Sequence, residues 1–189
     1  MQQFITSKLR LETTAEQFVL LRQTQLAFRD ALNHASRYAF EHGKISSAQR
    51  LHKGTYRAIR SKFNLPSQMA CSVMRQVSTT YKGLDKPPKY LSPTLTYVNV
   101  RDYGFKPEQH VSLLTLNGRI TLRYRGYSRH VAPIHQGANL GEAKLWYDKR
   151  HRQYYLLVSL KVEMTDPSQK IQQTVIGVDV GQRVRREVA

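Results

Sequence analysis

The stretch "DKPPKYLSP", residues 85–93, divides the chain into two periodicities. Pro87, Pro88 and Pro93 lack the backbone N–H that a helix interior or a central strand needs, so neither runs through them. Before this stretch apolar residues recur at helical spacing; after it they alternate. One segment breaks the order. "QQFITSKLRL", at residues 2–11, reads as a strand standing ahead of all the helices. The helices therefore interrupt a β-unit that starts at residue 2 and resumes near 90.

"TTAEQ" opens the first helix, with Thr13 and Glu16 spaced for a capping box. Phe18, Leu21, Phe28, Leu32, Ala35 and Ala39 form its apolar face, and Gly43 ends it. Ser46 or Ser47 caps a second helix through about Arg60. Pro66 and Ser67 open a third. Its stripe is Ala70, Val73, Met74, Val77 and Tyr81, and Gly83 closes it.

In the alternating half, "HVSLLTLNGRITLRYRGY" contains Asn117-Gly118, a strong hairpin signal. With those two as the turn, Leu116 faces Arg119. Val111, Leu113, Thr115, Ile120, Leu122 and Tyr124 then share the inner face. Arg119, Thr121, Arg123 and Arg125 share the outer one, at about 7 Å per step of two residues. That spacing suits successive phosphates of a nucleic-acid strand; the alternative is a solvated outer face. "EAKLWYD" and "QYYLLVSLKVE" form a second hairpin around the basic turn Lys149, Arg150, His151 and Arg152. "TDPSQ" (165–169) reads as linker, and "TVIGVDVGQ" as one more strand.

Charge narrows the partner. Thirty Lys and Arg against thirteen Asp and Glu give a net +17 in 189 residues. The excess is not a tail: residues 1–86 hold 14 basic and 5 acidic residues, and residues 87–173 hold 13 and 6. Self-repulsion on this scale opposes folding, so a polyanion, nucleic acid first, is the expected partner. No run of eighteen apolar residues or signal peptide stands out, so the expectation is a cytoplasmic protein without membrane contact. The single cysteine, Cys71, excludes an internal disulfide; it sits in an apolar helical context and reads as buried. His130 and His135, in "SRHVAPIHQ", read as a surface loop pair.

Taken together, four stretches resemble the N-terminal part of the TnpB (OrfB) family of transposon-encoded RNA-guided DNA endonucleases, relatives of type V CRISPR effectors. "LPSQMACSVMRQVSTTYKGL" is similar to the family's Leu-Pro-Ser-Gln helix, and "VSLLTLNGRITLRYRG" to its Gly-Arg hairpin. "GEAKLWYDKRHRQYYLLVSLKVE" resembles the next strand pair, and "IGVDVGQ" the first RuvC nuclease motif. The resemblance implies an α+β chain. An oligonucleotide-binding-like β-barrel, the wedge domain, would span 1–12 and 87–165. A three-helix recognition domain (13–86) would be inserted in it, with a linker at 166–173. The first strand of an RNase H/RuvC-like domain would begin at 174–189.

The resemblance makes Asp179 the first of three catalytic carboxylates. The family's later Glu and Asp and its zinc-binding cysteines have no counterpart in these residues, and "RVRREVA" replaces the expected apolar alternation after Gln182. The expectation is a chain cut off, or frameshifted, just after the first motif. Two-metal cleavage needs several carboxylates around Mg²⁺ ions about 4 Å apart, and Asp179 alone is one ligand. Mg belongs to the full-length family; no cofactor is expected for this chain alone. What remains is binding of guide RNA and double-stranded DNA. Ser67, Gln68, Arg75 and Gln76 on the third helix would read bases or grip phosphate, since Gln suits adenine and Arg suits guanine. Arg119, Arg123, Arg125, Lys149, Arg150 and Arg152 would hold backbone. Two other readings stay open: a helix-turn-helix-like DNA-binding regulator, and one half of a split nuclease with a separately encoded partner.

Overall fold

The strand that precedes the helices becomes the centre of the sheet. A computed structural model describes residues 2–81, 86–92 and 94–163. The order is β1 (Gln2–Glu12), α1 (Ala15–Glu41), α2 (Ala48–Phe63), α3 (Ser67–Tyr81), β2 (Leu95–Tyr97), β3 (Tyr103–Lys106), β4 (His110–Thr115), β5 (Gly118–Arg125), α4 (Ser128–His135), β6 (Asn139–Asp148) and β7 (Gln153–Glu163). The seven strands line up as β2-β6-β7-β1-β5-β4-β3, and each neighbouring pair is antiparallel. Residues 2–10 of β1 pair with β7, and residues 10–12 with β5, so Arg10 lies opposite Tyr155 on one side and Arg125 on the other.

The fold is α+β, with the sheet curled into a nearly closed barrel. Its two edge strands are tied by tyrosines. Tyr97 on β2 donates its hydroxyl to the Leu114 carbonyl on β4, at 3.0 Å. Tyr103 on β3 donates to the Gly141 carbonyl on β6, at 2.7 Å. Each bond bridges the gap that a flat sheet would leave open, and both rings are fully buried. The interior follows the alternation: Leu9, Leu11, Val111, Leu113, Leu122, Tyr124, Leu145, Leu156 and Val158 are buried, while Lys8, Arg10, Arg123 and Arg125 face out.

The helices share the barrel's core. Phe18 of α1 packs edge-on against Tyr147 and, tilted, against Tyr154. Gln25 donates to the Leu145 carbonyl at 2.9 Å, deep in the interior. Further along, Leu32, Ala35 and Ala39 meet the α2 and α3 stripes, so buried side chains run unbroken from barrel to helices. The proline-rich stretch lies along α1: Asn33 brackets the backbone of Tyr90, and Ser36 donates to the Pro88 carbonyl. Gly54 of α2 sits against the Tyr38 ring of α1, where a Cβ would collide.

Several local expectations shift. The capping box uses Thr14 and Gln17 rather than Thr13 and Glu16. The Gln17 amide also reaches the Thr121 carbonyl on β5, which pulls the helix entry one residue on. The first hairpin turns at Leu116-Asn117, and Thr115 pairs with Gly118. A turn on Asn117-Gly118 would need positive φ at both residues, whereas only Gly118 takes it, at φ 98°. Thr24 of α1 accepts the Leu116 N–H, and Thr115 donates to the Gly118 carbonyl, which holds this alternative. Cross-strand partners therefore move by two residues, and two is the period of the pleat, so the inner and outer faces survive. "SRHVAPIHQ" forms the short helix α4 rather than a loop, with Pro133 inside it. Ser47 caps α2, as one of the two candidates predicts. Gly83, the linker 166–173 and the strand bearing Asp179 lie outside the described residues.

Burial pushes the tyrosines of the barrel up: Tyr154 to about 12, and Tyr97, Tyr103 and Tyr124 in the same direction. Their neutral form is favoured by folding. Their stabilisation is complete below the ordinary phenol value of about 10 and is lost as pH rises through the folded values. Alkaline titration of phenolate absorbance is expected to show these tyrosines ionising only together with loss of ellipticity. Independent ionisation in a still-folded protein would contradict the assignment. Tyr97→Phe removes the hydroxyl that ties β2 to β4 and is expected to cost about 1 kcal/mol in urea unfolding; an unchanged midpoint would deny that bond a part in closure.

Candidate nucleic-acid interface

The arginines proposed from the alternation all point outward from β5, but they do three different things. Arg119 is committed to the protein. Its guanidinium donates to Ser112 Oγ at 3.4 Å and to the carbonyls of Val100 and Arg101 at 3.3 and 2.5 Å. Val100 has φ 66°, a left-handed conformation that a β-branched side chain adopts at a cost. Beneath the same loop lies Asp102, fully buried, accepting the Val98 N–H at 2.8 Å. Burial pushes the Asp102 carboxyl up, against the pull of that hydrogen bond and of the nearby Arg119, Arg75 and Arg101 charges. Arg119 thus anchors the loop between β2 and β3.

Arg125 is ion-paired with Glu12 on the neighbouring strand. Arg123 is exposed and holds no acceptor among the described residues, although Glu12 lies opposite it in the ladder. Thr121 separates Arg119 from Arg123, so the row is broken as well as partly occupied. Of the three, Arg123 is the arginine most available to a phosphate.

At the second hairpin, Asp148 shapes the turn. Its carboxylate accepts the backbone N–H groups of Arg150 and His151 and the His151 ring at 2.7 Å. The His151 contact, with the two backbone N–H groups, holds Asp148 below the usual carboxylate range. This leaves Lys149, Arg150 and Arg152 exposed at the tip, with Arg152 at φ 52°.

The α3 residues divide into two places. Ser67 and Gln68 are at the helix start, where the Gln68 Oε1 already accepts Arg101 at 2.9 Å. Pairing with adenine uses that same oxygen, so Arg101 must yield for Gln68 to read a base. Arg75 and Gln76 lie two turns on, lining a cleft of about 410 Å³ between α3 and the β2–β6 pair, with Lys144 and Glu142 opposite. Cys71 on the same helix is half-buried rather than buried, at a shallow cleft beside Met74 and His52. Its position at the α2–α3 seam explains this.

One basic surface was missed by reading α2 only for its caps. Arg50, Lys53, Arg57 and Arg60 are all exposed and recur at helical spacing opposite Leu51, Thr55 and Ile59. They span about 15 Å of helix with no acidic residue in it. The signal was present in the i, i+3, i+7, i+10 spacing of the cations.

Among the described residues no group of three His, Cys, Asp or Glu could hold a metal ion. No helix of the described residues is long and apolar enough to cross a membrane. Neither a protein-family model nor a curated protein sequence matches the chain.

The two arginines separate by experiment. Arg119→Ala is expected to lose about 1 kcal/mol of stability as the loop over Asp102 loosens. Arg123→Ala is expected to leave the unfolding midpoint in place while lowering the slope of log affinity against log salt for RNA by nearly one. The converse result, a stability loss at Arg123 and a pure binding loss at Arg119, would overturn these assignments.

Proposed function

We propose that this chain is a nucleic-acid-binding protein, with an oligonucleotide-binding-like wedge barrel and a helical recognition domain inserted after its first strand. In this reading it is the N-terminal portion of a TnpB/OrfB-like RNA-guided DNA endonuclease, gripping guide RNA and target duplex, and does not cleave by itself. The observation that carries the proposal is the set of exposed cations on separate elements: Arg123 on the sheet, Lys149, Arg150 and Arg152 at a hairpin tip, and the Arg50–Arg60 stripe on α2. Cations spread over several elements suit a folded polyanion that wraps the protein. The interruption of the barrel by helices after β1 is the arrangement expected from the family resemblance.

The helix-turn-helix alternative has one observation in its favour, the three-residue connection Asn64-Leu65-Pro66 between α2 and α3. A recognition helix must enter a major groove, however, and Arg75 and Gln76 of α3 line a cleft whose other wall is the β2–β6 pair.

Binding to a structured RNA is expected to weaken steeply with salt. Neutralising Arg123 together with Lys149, Arg150 and Arg152 should flatten the slope by up to about four units. An unaltered slope would mean these side chains are merely solvated. With Mg²⁺, guide RNA and target duplex present, the chain is expected to leave DNA uncut; cleavage abolished by Asp179→Ala would refute that part of the reading.

A further inference from the structure

On the outer face of the sheet, four residues stand in register across four adjacent strands. Trp146 on β6 pairs with Tyr155 on β7, Tyr155 with Arg10 on β1, and Arg10 with Arg125 on β5. At about 4.8 Å per strand the line extends about 14 Å, two aromatic rings followed by two guanidinium groups. The rings lie 5.4 Å apart and tilted by 32°, and the Lys8 ammonium sits 4.3 Å from the Tyr155 centroid and 5.0 Å from that of Trp146. None of these contacts belongs to the hydrophobic core. Trp146 is a third exposed, and neither it nor Tyr155 is among the buried core residues.

The cationic end of this line opens into a cleft of about 560 Å³ beneath the β5–α4 connection. Tyr127, 76% exposed, forms its rim, with the Arg129 guanidinium 5.8 Å from its ring. Among the described residues no carboxylate lines the cleft, although Glu12 is paired with Arg125 nearby. The first turn of α4 also faces it, and its N-cap, Tyr127, supplies no side-chain hydrogen bond. Uncapped backbone N–H groups there add to the positive potential.

We propose that this cleft and the aromatic–arginine line form a binding site for an unpaired stretch of nucleic acid. Bases stack on Tyr127 and on the Tyr155–Trp146 pair, while Arg10 and Arg129 hold the connecting phosphates. Flat rings interleaved with cations suit bases joined by phosphates, because every base has a stackable face. A paired helix keeps its bases stacked on one another and offers these rings nothing, so the site selects single-stranded segments. The inference rests on the nucleic-acid reading above and assigns it a surface on which, of the arginines singled out from the sequence, Arg125 alone lies.

Trp146 is the only tryptophan and reports directly on occupancy. A single-stranded oligouridylate is expected to quench its emission, and a blunt RNA duplex of equal charge is not. Tyr127→Ala, at a largely exposed position, should weaken oligouridylate binding about tenfold or more while leaving heparin, a polyanion without bases, unaffected. Arg10→Gln should weaken both. Equal loss of heparin and oligouridylate binding in Tyr127→Ala would reduce the site to a simple charge patch and overturn the proposal. So would quenching by phosphatidylserine vesicles in place of oligouridylate. If Tyr127→Ala and Arg10→Gln leave oligouridylate binding intact while Arg123→Ala weakens it, the cleft fails and the nucleic-acid reading stands. If wild-type protein binds no RNA at all, both fail.

Discussion

β1 has no local partner, and the rest of the molecule is arranged to give it two. Its inward residues, Leu9 and Leu11, supply the centre of the barrel core, while Lys8 and Arg10 face the outside of the same strand. Because β1 pairs with β7 along most of its length and with β5 at its end, the helical segment between β1 and β2 must leave and return without disturbing either ladder. α1 satisfies this by serving both bodies. Its first turns pack into the barrel through Phe18 and Gln25, and its later turns carry α2 and α3. A barrel missing α1 would expose Tyr147 and Tyr154, and a helical unit missing it would lose the spine of its core.

Much of this was legible in the residues themselves. The interrupted β-unit follows from one early strand and three prolines, and the apolar stripes of α1 and α3 are buried as periodicity predicts, except that Phe18 is only half-buried. The hairpin faces were readable because side-chain alternation is insensitive to a two-residue change of register, although the turn itself was not. That turn depends on a hydroxyl from α1, Thr24, which no local signal reveals. α4 was hidden for a similar reason: Pro133 suggests a loop, and the helix forms because Val131 and Ile134 pack against the core while Ser7 donates to the His130 carbonyl.

The candidate site was read less completely, since charge shows which residues are cationic but not which are already engaged. Arg119 and Arg123 are equivalent in an alternating pattern. Only the fold shows that Arg119 secures the strained Val100 loop while Arg123 is left open. Likewise, alternation puts Tyr154, Leu156 and Leu145 inside and leaves Tyr155 and Trp146 outside, as the fold has them, but only the strand order lines those two rings up with Arg10 and Arg125. Functional side chains on a barrel exterior are hard to pick out because the same strands must also supply its interior.

The central place of β1 also has a temporal side. As the chain is synthesised, β1 emerges before the other described elements, and the β7 residues that pair with it lie about 150 positions later, a delay of roughly 8–30 s at ordinary translation rates. The helices can form from local contacts meanwhile, whereas β1 waits with both edges open. An unpaired strand is a template for aggregation, and charges within it are the usual protection. Lys8 and Arg10 therefore guard the nascent chain before they face any ligand, so that replacing them with apolar residues would trouble the protein's yield before it troubled the finished fold.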